Sequence, residues 1–479
     1  MTKFVADLHL HSAYARATSR NLNFDTLAQW AKMKGIALLS SADFTHPVWW
    51  AETKSKLKES DASGLYKYGD THFVLGTEIS CIYSQGGKVR RIHCLLYFPE
   101  KGDVDLFNTR LGKVGNLRAD GRPIIGISAK QLLEMALEVS EAALLIPAHA
   151  WTPWFSLYGS NSGFDSIDEC FGDLSKHIYA IETGLSSDPA MNWRIAELDN
   201  RSIVSFSDAH SAPKLSRELT VFDTDFSYDG LLKALKSANE VGFDQQFVRL
   251  QTTRDKSSNL RSEEIGARFQ SSLHKLGQPQ PKNSRGSKIA FTLEFFPEEG
   301  KYHYTGHRNC NVRHSPGESA KLGTICPNCN KNLTIGVMHR VEQLADKQRS
   351  EDYVAKGRPA FKRLVPLLEI LAEAKGGAVN SDKVHEEYKK LVSHFGSEMN
   401  ILLKASLSDL EKVASIYAVV EGIDKVRRGD IVVEPGYDGV FGVVRIWPAP
   451  PGTTQTSPAQ TKPREIIKQA DGQAKLDLD

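Results

Sequence analysis

From residue 4 to about 240, short apolar runs alternate with stretches whose apolar positions recur every three or four residues. That rhythm is the one of β/α units built on a parallel sheet or barrel. The runs predict strands over 4–10, 36–41, 72–77, 91–98, 143–148, 178–183 and 202–207. Between the first two, F-D-T-L-A-Q-W-A-K-M-K-G predicts a helix capped by Asp25 and stopped at Gly35, and S-A-K-Q-L-L-E-M-A-L-E predicts another capped at Ser128. Seven strands suit a barrel occupying residues 1–250.

The pattern then changes. Residues 251–287 are poor in apolar positions and end Q-P-Q-P-K-N-S-R-G-S-K, which predicts a flexible linker or insertion. Residues 288–340 carry a cysteine cluster. Helical periodicity returns in F-K-R-L-V-P-L-L-E-I-L-A-E and D-L-E-K-V-A-S-I-Y-A-V-V, so 341–447 reads as a helical module, closed by the hairpin D-I-V-V-E-P-G-Y-D-G-V-F-G-V-V-R-I-W. Residues 448–479, rich in Pro, Thr and Gln, predict a disordered tail.

Composition narrows the class only a little. At 479 residues, 41% hydrophobic and 25% charged, the chain is an ordinary soluble type too long for one core. No apolar run approaches the roughly 20 residues that span a bilayer, and M-T-K-F-V-A-D-L-H lacks the apolar region of a signal peptide, so a cytoplasmic location without membrane attachment is expected. Six cysteines do not make a disulfide framework in a chain of this size; only Cys310, Cys326 and Cys329 cluster, and metal binding explains them better. A net charge of +2 selects no partner.

The chemistry lies at the strand ends. His9 and His11 are two apart on the first strand, so the period of two points both imidazoles to one face. Later strands end in Asp43 and His46, Glu78, His149, Glu182, and Asp208 with His210, while His93 sits just inside the fourth. A single strand-end histidine is as often a packing residue as a ligand. Recurrence outweighs that reading, because the C-terminal mouth of a β/α barrel collects such groups. Imidazole with carboxylate suits Zn²⁺, Mn²⁺ or Fe²⁺, and several carboxylates can bridge two ions about 4 Å apart, an arrangement fitted to phosphoryl transfer.

D-L-H-L-H-S, G-T-E, R-I-H, P-A-H and S-D-A-H resemble, in order, the motifs of the PHP (polymerase and histidinol phosphatase) superfamily over residues 5–211. The resemblance implies a distorted (β/α)7 barrel of α/β class with two or three catalytic divalent metals, Zn²⁺, Mn²⁺ or Mg²⁺. It implies one ion on His9, His11, Glu78 and Asp208, a second on Glu78, His93 and His149, and a third position served by His46 and His210. Glu78, Asp208 and His210 would be catalytic. The chain departs from the family in A-D-F-T-H-P and A-R-A-T, where many members have T-D-H and a further ligand after H-x-H.

In K-Y-H-Y-T-G-H-R-N-C-N-V-R-H and C-P-N-C, His307-x₂-Cys310 and Cys326-x₂-Cys329 have the spacing of two zinc knuckles. His303 or His314 could replace His307. A Cys₃His set leaves no open position, so the zinc would be structural. Arg308, Arg313, Lys321, Lys331 and Arg340 crowd the module and could meet phosphates, a solvated basic face being the alternative. With Y-H-Y-T-G-H-R-N-C, L-T-I-G-V-M-H-R-V-E-Q-L-A-D, A-D-F-T-H-P-V-W-W and I-E-T-G-L-S-S-D-P, the chain resembles the endonuclease Q family from residue 5 to 447, the 251–287 segment apart. The resemblance implies a DNA repair endonuclease, in the cytoplasm with the nucleoid, that cuts 5′ to uracil, hypoxanthine, xanthine or abasic sites and leaves 3′-hydroxyl and 5′-phosphate ends.

Aromatics beside the ligands, Trp151 and Trp154 in A-W-T-P-W-F and Trp49 and Trp50 in P-V-W-W, are candidates for stacking on an extruded base, with core packing as the alternative; Glu182 and Arg308 complete the candidate substrate contacts. The terminal Gln473, Leu476 and Leu478 resemble, imperfectly, peptides that dock repair enzymes on a sliding clamp. Two other classes compete: a small-molecule phosphatase of the histidinol phosphatase type, which needs no zinc module, and a non-catalytic DNA-binding PHP protein, which needs no full ligand set. Activity on a uracil-containing oligonucleotide against a phosphate monoester separates them.

Overall fold

The computed structural model describes residues 2–238 and 286–448. β1 (Thr2–Asp7) pairs in parallel with β2 (Leu38–Ser40), and β2 with β3 (Thr71–Gln85). Gly86 and Gly87, with φ of 62° and 73°, then turn the chain straight back into β4 (Lys88–Phe98), antiparallel to β3 from Leu75↔Phe98 to Gln85↔Lys88. Two successive positive φ values suit a tight hairpin turn and cost glycine little. β4 also runs against β5 (Leu144–Pro147). β6 (Ala180–Glu182) and β7 (Ser202–Val204) form a parallel pair of their own, and a bridge between Leu10 and Ala209 leads back to β1.

All seven predicted strands are present, but their uniform parallel alternation is not. The hairpin reverses β4, and among the described residues no ladder joins β5 to β6. What the structure shows is a mixed α/β body around a large sheet. On the other edge of β1 the sheet continues through β8 (Leu219–Thr224) and β9 (Lys288–Glu294), both antiparallel steps, to β10 (Ala360–Arg363), parallel to β9. The expected boundary at 288 is thereby corrected: K-I-A-F-T-L-E is a sheet strand whose alternation buries Leu293 against Leu219, and the cysteine region begins after it.

The helix after β1, α1 (Phe24–Lys34), ends at Gly35 as predicted, with φ of 85°. Its cap is Asn23, whose side chain accepts the Thr26 N–H; Asp25 stands in the first turn, where its charge still favours the helix N-terminus. Ser128 caps its helix in a reciprocal capping box with Gln131. Helices Leu367–Ala374, Asp382–Phe395, Glu398–Leu403, Leu407–Val413 and Tyr417–Arg428 share a core with β8 and β9 through Leu219, Val221 and Leu293. The hairpin Val432–Glu434 with Val443–Arg445 closes this region. Its loop clasps the cysteine segment: Gly436 O accepts the Tyr304 N–H, Arg313 donates to Pro435 O, and the Tyr437 hydroxyl donates to Asn311.

The predicted linker 251–287 lies almost wholly outside the described residues, as does the tail from 449. Among the described residues no helix is long and apolar enough to cross a membrane.

Candidate metal centre

Each imidazole of β1's extension is oriented by a buried acid. His9 Nδ1 lies 2.9 and 3.0 Å from the two Glu182 carboxylate oxygens, and His11 Nδ1 lies 3.1 Å from Asp43 Oδ1. A carboxylate only accepts, so each Nδ1 carries a proton and each Nε2 points at Glu78 and Asp208. Those distances are 3.4 Å from His9 to either acid and 3.2 Å from His11 to either acid. The other oxygen of Glu78 faces His93 Nδ1 at 2.6 Å and His149 Nε2 at 3.2 Å. Glu78 is therefore shared by two ligand sets, His9–His11–Glu78–Asp208 and Glu78–His93–His149, each with its candidate atoms within 4.8 Å of one another.

The backbone is strained where the ligands leave the sheet. Ala42, Asp43, His149 and Asp208 have φ of 57°, 37°, 30° and 46°. Non-glycine residues persist there only when their surroundings hold them. Glu182 accepts the His149 N–H at 2.7 Å, and Arg217 donates to the carbonyls of Ser207 and Asp208 at 2.7 and 3.1 Å.

Burial opposes charge on every group, yet the acids stay ionised. Against that burial, His93, Arg122 and His9 hold Glu78 well below the usual carboxylate range, and His9 and His210 do the same for Asp208. Burial likewise disfavours imidazolium, but Glu182, Asp208 and Glu78 raise His9 and Asp43 raises His11, whereas burial pushes His93 down to about 4. The first of these sets fits a divalent cation on a direct observation: His9 Nε2, His11 Nε2 and Asp208 Oδ1 are buried with no hydrogen-bond partner, aimed at one another. Buried polar atoms without partners are costly, and a cation satisfies all three. The side chains of Asp208, His210, His149 and Arg122 are 22%, 27%, 13% and 21% exposed, against 0–1% for His9, His11 and Glu78, so the site opens on their side.

Other predicted residues fall elsewhere. Asp43 orients His11 and accepts from Ser12 N–H and Oγ at 2.6 Å, a supporting position. His46 joins neither cluster; its ring caps α2 (Pro47–Lys56) and stacks on Tyr14, centroids 4.5 Å apart. His210 stands at the opening, its ring packed against His11 and its Nδ1 donating to the Asp208 carbonyl at 2.9 Å. Trp151 is not a free stacking surface: it is buried, donates to Asn192 Oδ1 at 2.6 Å and stacks on Tyr158. Trp49 and Trp50 are buried too. Trp154 is half-buried, edge-on to Tyr302 at 5.4 Å. Arg308 is exposed, its N–H bound to Asp438. Arg122 was not among the expected residues, and its Nη1 reaches Glu78 Oε2 at 3.2 Å.

In the cysteine segment His307, Cys310, Cys326 and Cys329 converge, Cys329 Sγ lying 3.3 Å from His307 Nδ1. His307 is the histidine brought to the cysteines; His303 and His314 are buried apart from them. Only Val312, Cys326 and Leu333, with Cys310 beside them, form this segment's apolar cluster, too small a core to hold it. A tetrahedral ion would supply the missing cohesion.

Comparison with known proteins agrees over nearly the whole length. A crystal structure of the lesion-specific endonuclease PfuEndoQ from Pyrococcus furiosus superposes with a TM-score of 0.73 at 27% identity, covering 93% of this chain and 95% of that one. Endonuclease Q in complex with a 27-mer duplex substrate, an abasic lesion at its active site, superposes with a TM-score of 0.73 at 28% identity over 93% of this chain and 96% of that one. The chain has the architecture of endonuclease Q. The model of the MJ0043 C-terminal domain matches residues 366–430, within the helical region. Protein YqxK of Bacillus subtilis is 28% identical over 469 residues, 93% of this chain and 100% of that protein. Protein MJ0043 of Methanocaldococcus jannaschii is 28% identical over 302 residues, but the match takes in only 32% of its length and 63% of this chain. This chain thus spans about a third of the archaeal relative and all of the bacterial one.

Proposed function

We propose that this chain is a metal-dependent DNA endonuclease that hydrolyses the phosphodiester 5′ to an abasic site or a deaminated base (uracil, hypoxanthine or xanthine), leaving 3′-hydroxyl and 5′-phosphate ends. The observation that carries the reading is a carboxylate, Glu78, shared by two ligand sets at the open end of a fold that matches endonuclease Q with an abasic duplex at its active site. His9, His11, Glu78 and Asp208 would hold one divalent ion, and Glu78, His93 and His149 another. Bound there, such ions supply the Lewis acidity that makes water nucleophilic near neutral pH. Glu182 positions His9 and the His149 backbone. His210, kept neutral by its burial and with Nδ1–H given to a carbonyl, presents Nε2 at the opening to take up or return a proton.

The finer features follow from this reading. The strands β1 to β7 form the distorted seven-stranded barrel, Zn²⁺ staples His307, Cys310, Cys326 and Cys329, and Trp154 with Arg308 flanks the path of the DNA. The protein works in the cytoplasm on the nucleoid, and Gln473, Leu476 and Leu478 are the residues by which its tail would dock on a sliding clamp. The test uses metal-loaded full-length protein on duplexes with uracil, hypoxanthine, xanthine or an abasic site, an undamaged duplex and a phosphate monoester, with Mn²⁺, Mg²⁺ or Zn²⁺ and with chelator. Metal-dependent cutting on the 5′ side of the lesion alone is expected. Release of phosphate from the monoester without duplex incision would overturn the reading in favour of a phosphatase.

A further inference from the structure

We infer that Arg122 is the residue that grips the non-bridging oxygens of the phosphate being cut, an inference that rests on the nuclease reading. The loop carrying it is built against the ligands from several directions. Asp120 Oδ1 accepts the N–H groups of Arg16 and Arg122 at 3.0 and 3.1 Å. Gly121 donates to Tyr14 O at 2.9 Å and accepts from Thr45 Oγ1 at 3.2 Å, and Pro123 O accepts the Ser80 N–H at 3.0 Å, two residues beyond Glu78. Gly121 lies so close to the site that a Cβ would stand 2.5 Å from Asp43 Oδ2 and 2.8 Å from Ala15 N. The guanidinium is thus delivered by a fixed backbone, the condition under which a charge stabilises a transition state without reorganisation.

Its surroundings show what it lacks. Among the described residues the only hydrogen-bond partner of the Arg122 side chain is Glu78 Oε2, and a guanidinium has five donors. That carboxylate oxygen also faces His9 and His11 as a ligand, so a bound cation would take over its charge and leave the guanidinium's fork turned to the opening, where Arg122 is 21% exposed. The charge balance points the same way. Divalent cations would take up the charges of Glu78 and Asp208, the two acids of the ligand sets, and the permanent charge of Arg122 matches the single negative charge of a phosphodiester. Arg217 spends its donors on the backbone carbonyls of Ser207 and Asp208. A planar fork matches two phosphate oxygens in a way a lysine cannot.

The experiment compares wild type, Arg122→Gln and Arg122→Lys as metal-loaded full-length proteins. Incision of an abasic duplex, metal content by elemental analysis, and calorimetric binding of inorganic phosphate are measured on each. Arg122→Gln is expected to keep the wild-type metal content and a KM near that of wild type, to lose kcat by about a hundredfold, as when a fixed donor to developing charge is removed, and to bind phosphate at least about tenfold more weakly. Arg122→Lys should fall between. Loss of metal in proportion to activity would make Arg122 a structural partner of Glu78 and overturn the inference, as would unchanged kcat and phosphate binding. If wild type fails to incise the duplex while phosphate binding still depends on Arg122, the nuclease reading falls and the phosphate contact stands.

Discussion

Among the ligands, Asp208 and His9 do different things when removed, and the difference separates chemistry from stability. Asp208 stands at φ 46° with its carboxylate facing His9 and His11 and its side chain 22% exposed. Asparagine tolerates the left-handed region, so Asp208→Asn keeps the backbone and removes one negative charge from the ligand set. It is expected to lose incision by at least about a hundredfold and to bind fewer divalent ions, while the metal-free protein, which loses only the attraction of His9, His210 and His11 for this charge, melts less far below wild type than His9→Ala. Near-normal incision would remove Asp208 from the site. His9→Ala, in contrast, leaves the Glu182 carboxylate, fully buried, without its 2.9 Å partner and should also cost about 1–3 kcal/mol of stability. At this scale the sequence is informative wherever a residue type is costly to bury: His9, His11, Glu78, His149 and Asp208 stand at predicted strand ends and His93 just inside one, and the fold brings them together. Arg122 was not, because an arginine in D-G-R-P has no ligand chemistry of its own and gains its meaning only when Gly121 packs on Asp43. Trp151 was misjudged because adjacency to a ligand does not say which way an indole turns; its neighbour Asn192 lies 41 residues away.

Elements set these residues in place, and the 207–218 segment shows how. Asp7 on β1 accepts the N–H groups of Ser207 and Ser216, each at 2.9 Å, and Arg217 ties the carbonyls of Ser207 and Asp208, so the strained turn carrying Asp208 is held at both ends. Lysine at 217 would offer a point charge to one carbonyl where the guanidinium spans two. Arg217→Lys is therefore expected to weaken metal affinity by about tenfold, the usual scale for a group that orients a ligand, with incision recovering at high metal concentration. Metal titration followed by incision checks it; a wild-type metal dependence would show that the turn holds itself. The element level also marks where sequence reading stopped. Strand positions were visible from apolar runs, but strand direction was not, since an apolar run has no arrow. The signal that could have revealed the reversal of β4 was the Gly86-Gly87 pair between two alternating segments, a two-residue hairpin signature.

Across the whole molecule, charged groups are buried along the seam between the first sheet and the helical region. Lys34 of α1 pairs with Glu398 at 2.7 Å, with the Tyr388 hydroxyl on the same carboxylate. Asp188 binds Arg363, which also reaches Glu298 at 3.2 Å. Neither pairing could be read from sequence, because each joins residues more than 170 or 360 positions apart. The register Leu219↔Leu293 sets Glu218 beside Glu294, both buried. Glu294 accepts from Ser205, Thr292 and Thr183, while Glu218 Oε2 has no partner. Burial is the main reason that Glu294 is pushed up to about 8 and Glu218 well above the usual carboxylate range. A raised acid binds its proton more tightly folded than unfolded, so its contribution is fully present below the unfolded value and is lost as pH rises through the folded one. The protein should lose stability between about pH 5 and about pH 8, opposite in sign to the usual effect of salt-bridged carboxylates. Glu294→Gln keeps an acceptor for Ser205 and Thr292 and turns its amide toward the Thr183 hydroxyl, which can accept. It is expected to leave the urea midpoint near pH 5 little changed and to raise it near pH 8 relative to wild type. Equal pH slopes for the two proteins would mean that Glu294 takes up no proton on folding in this range, and would end the prediction.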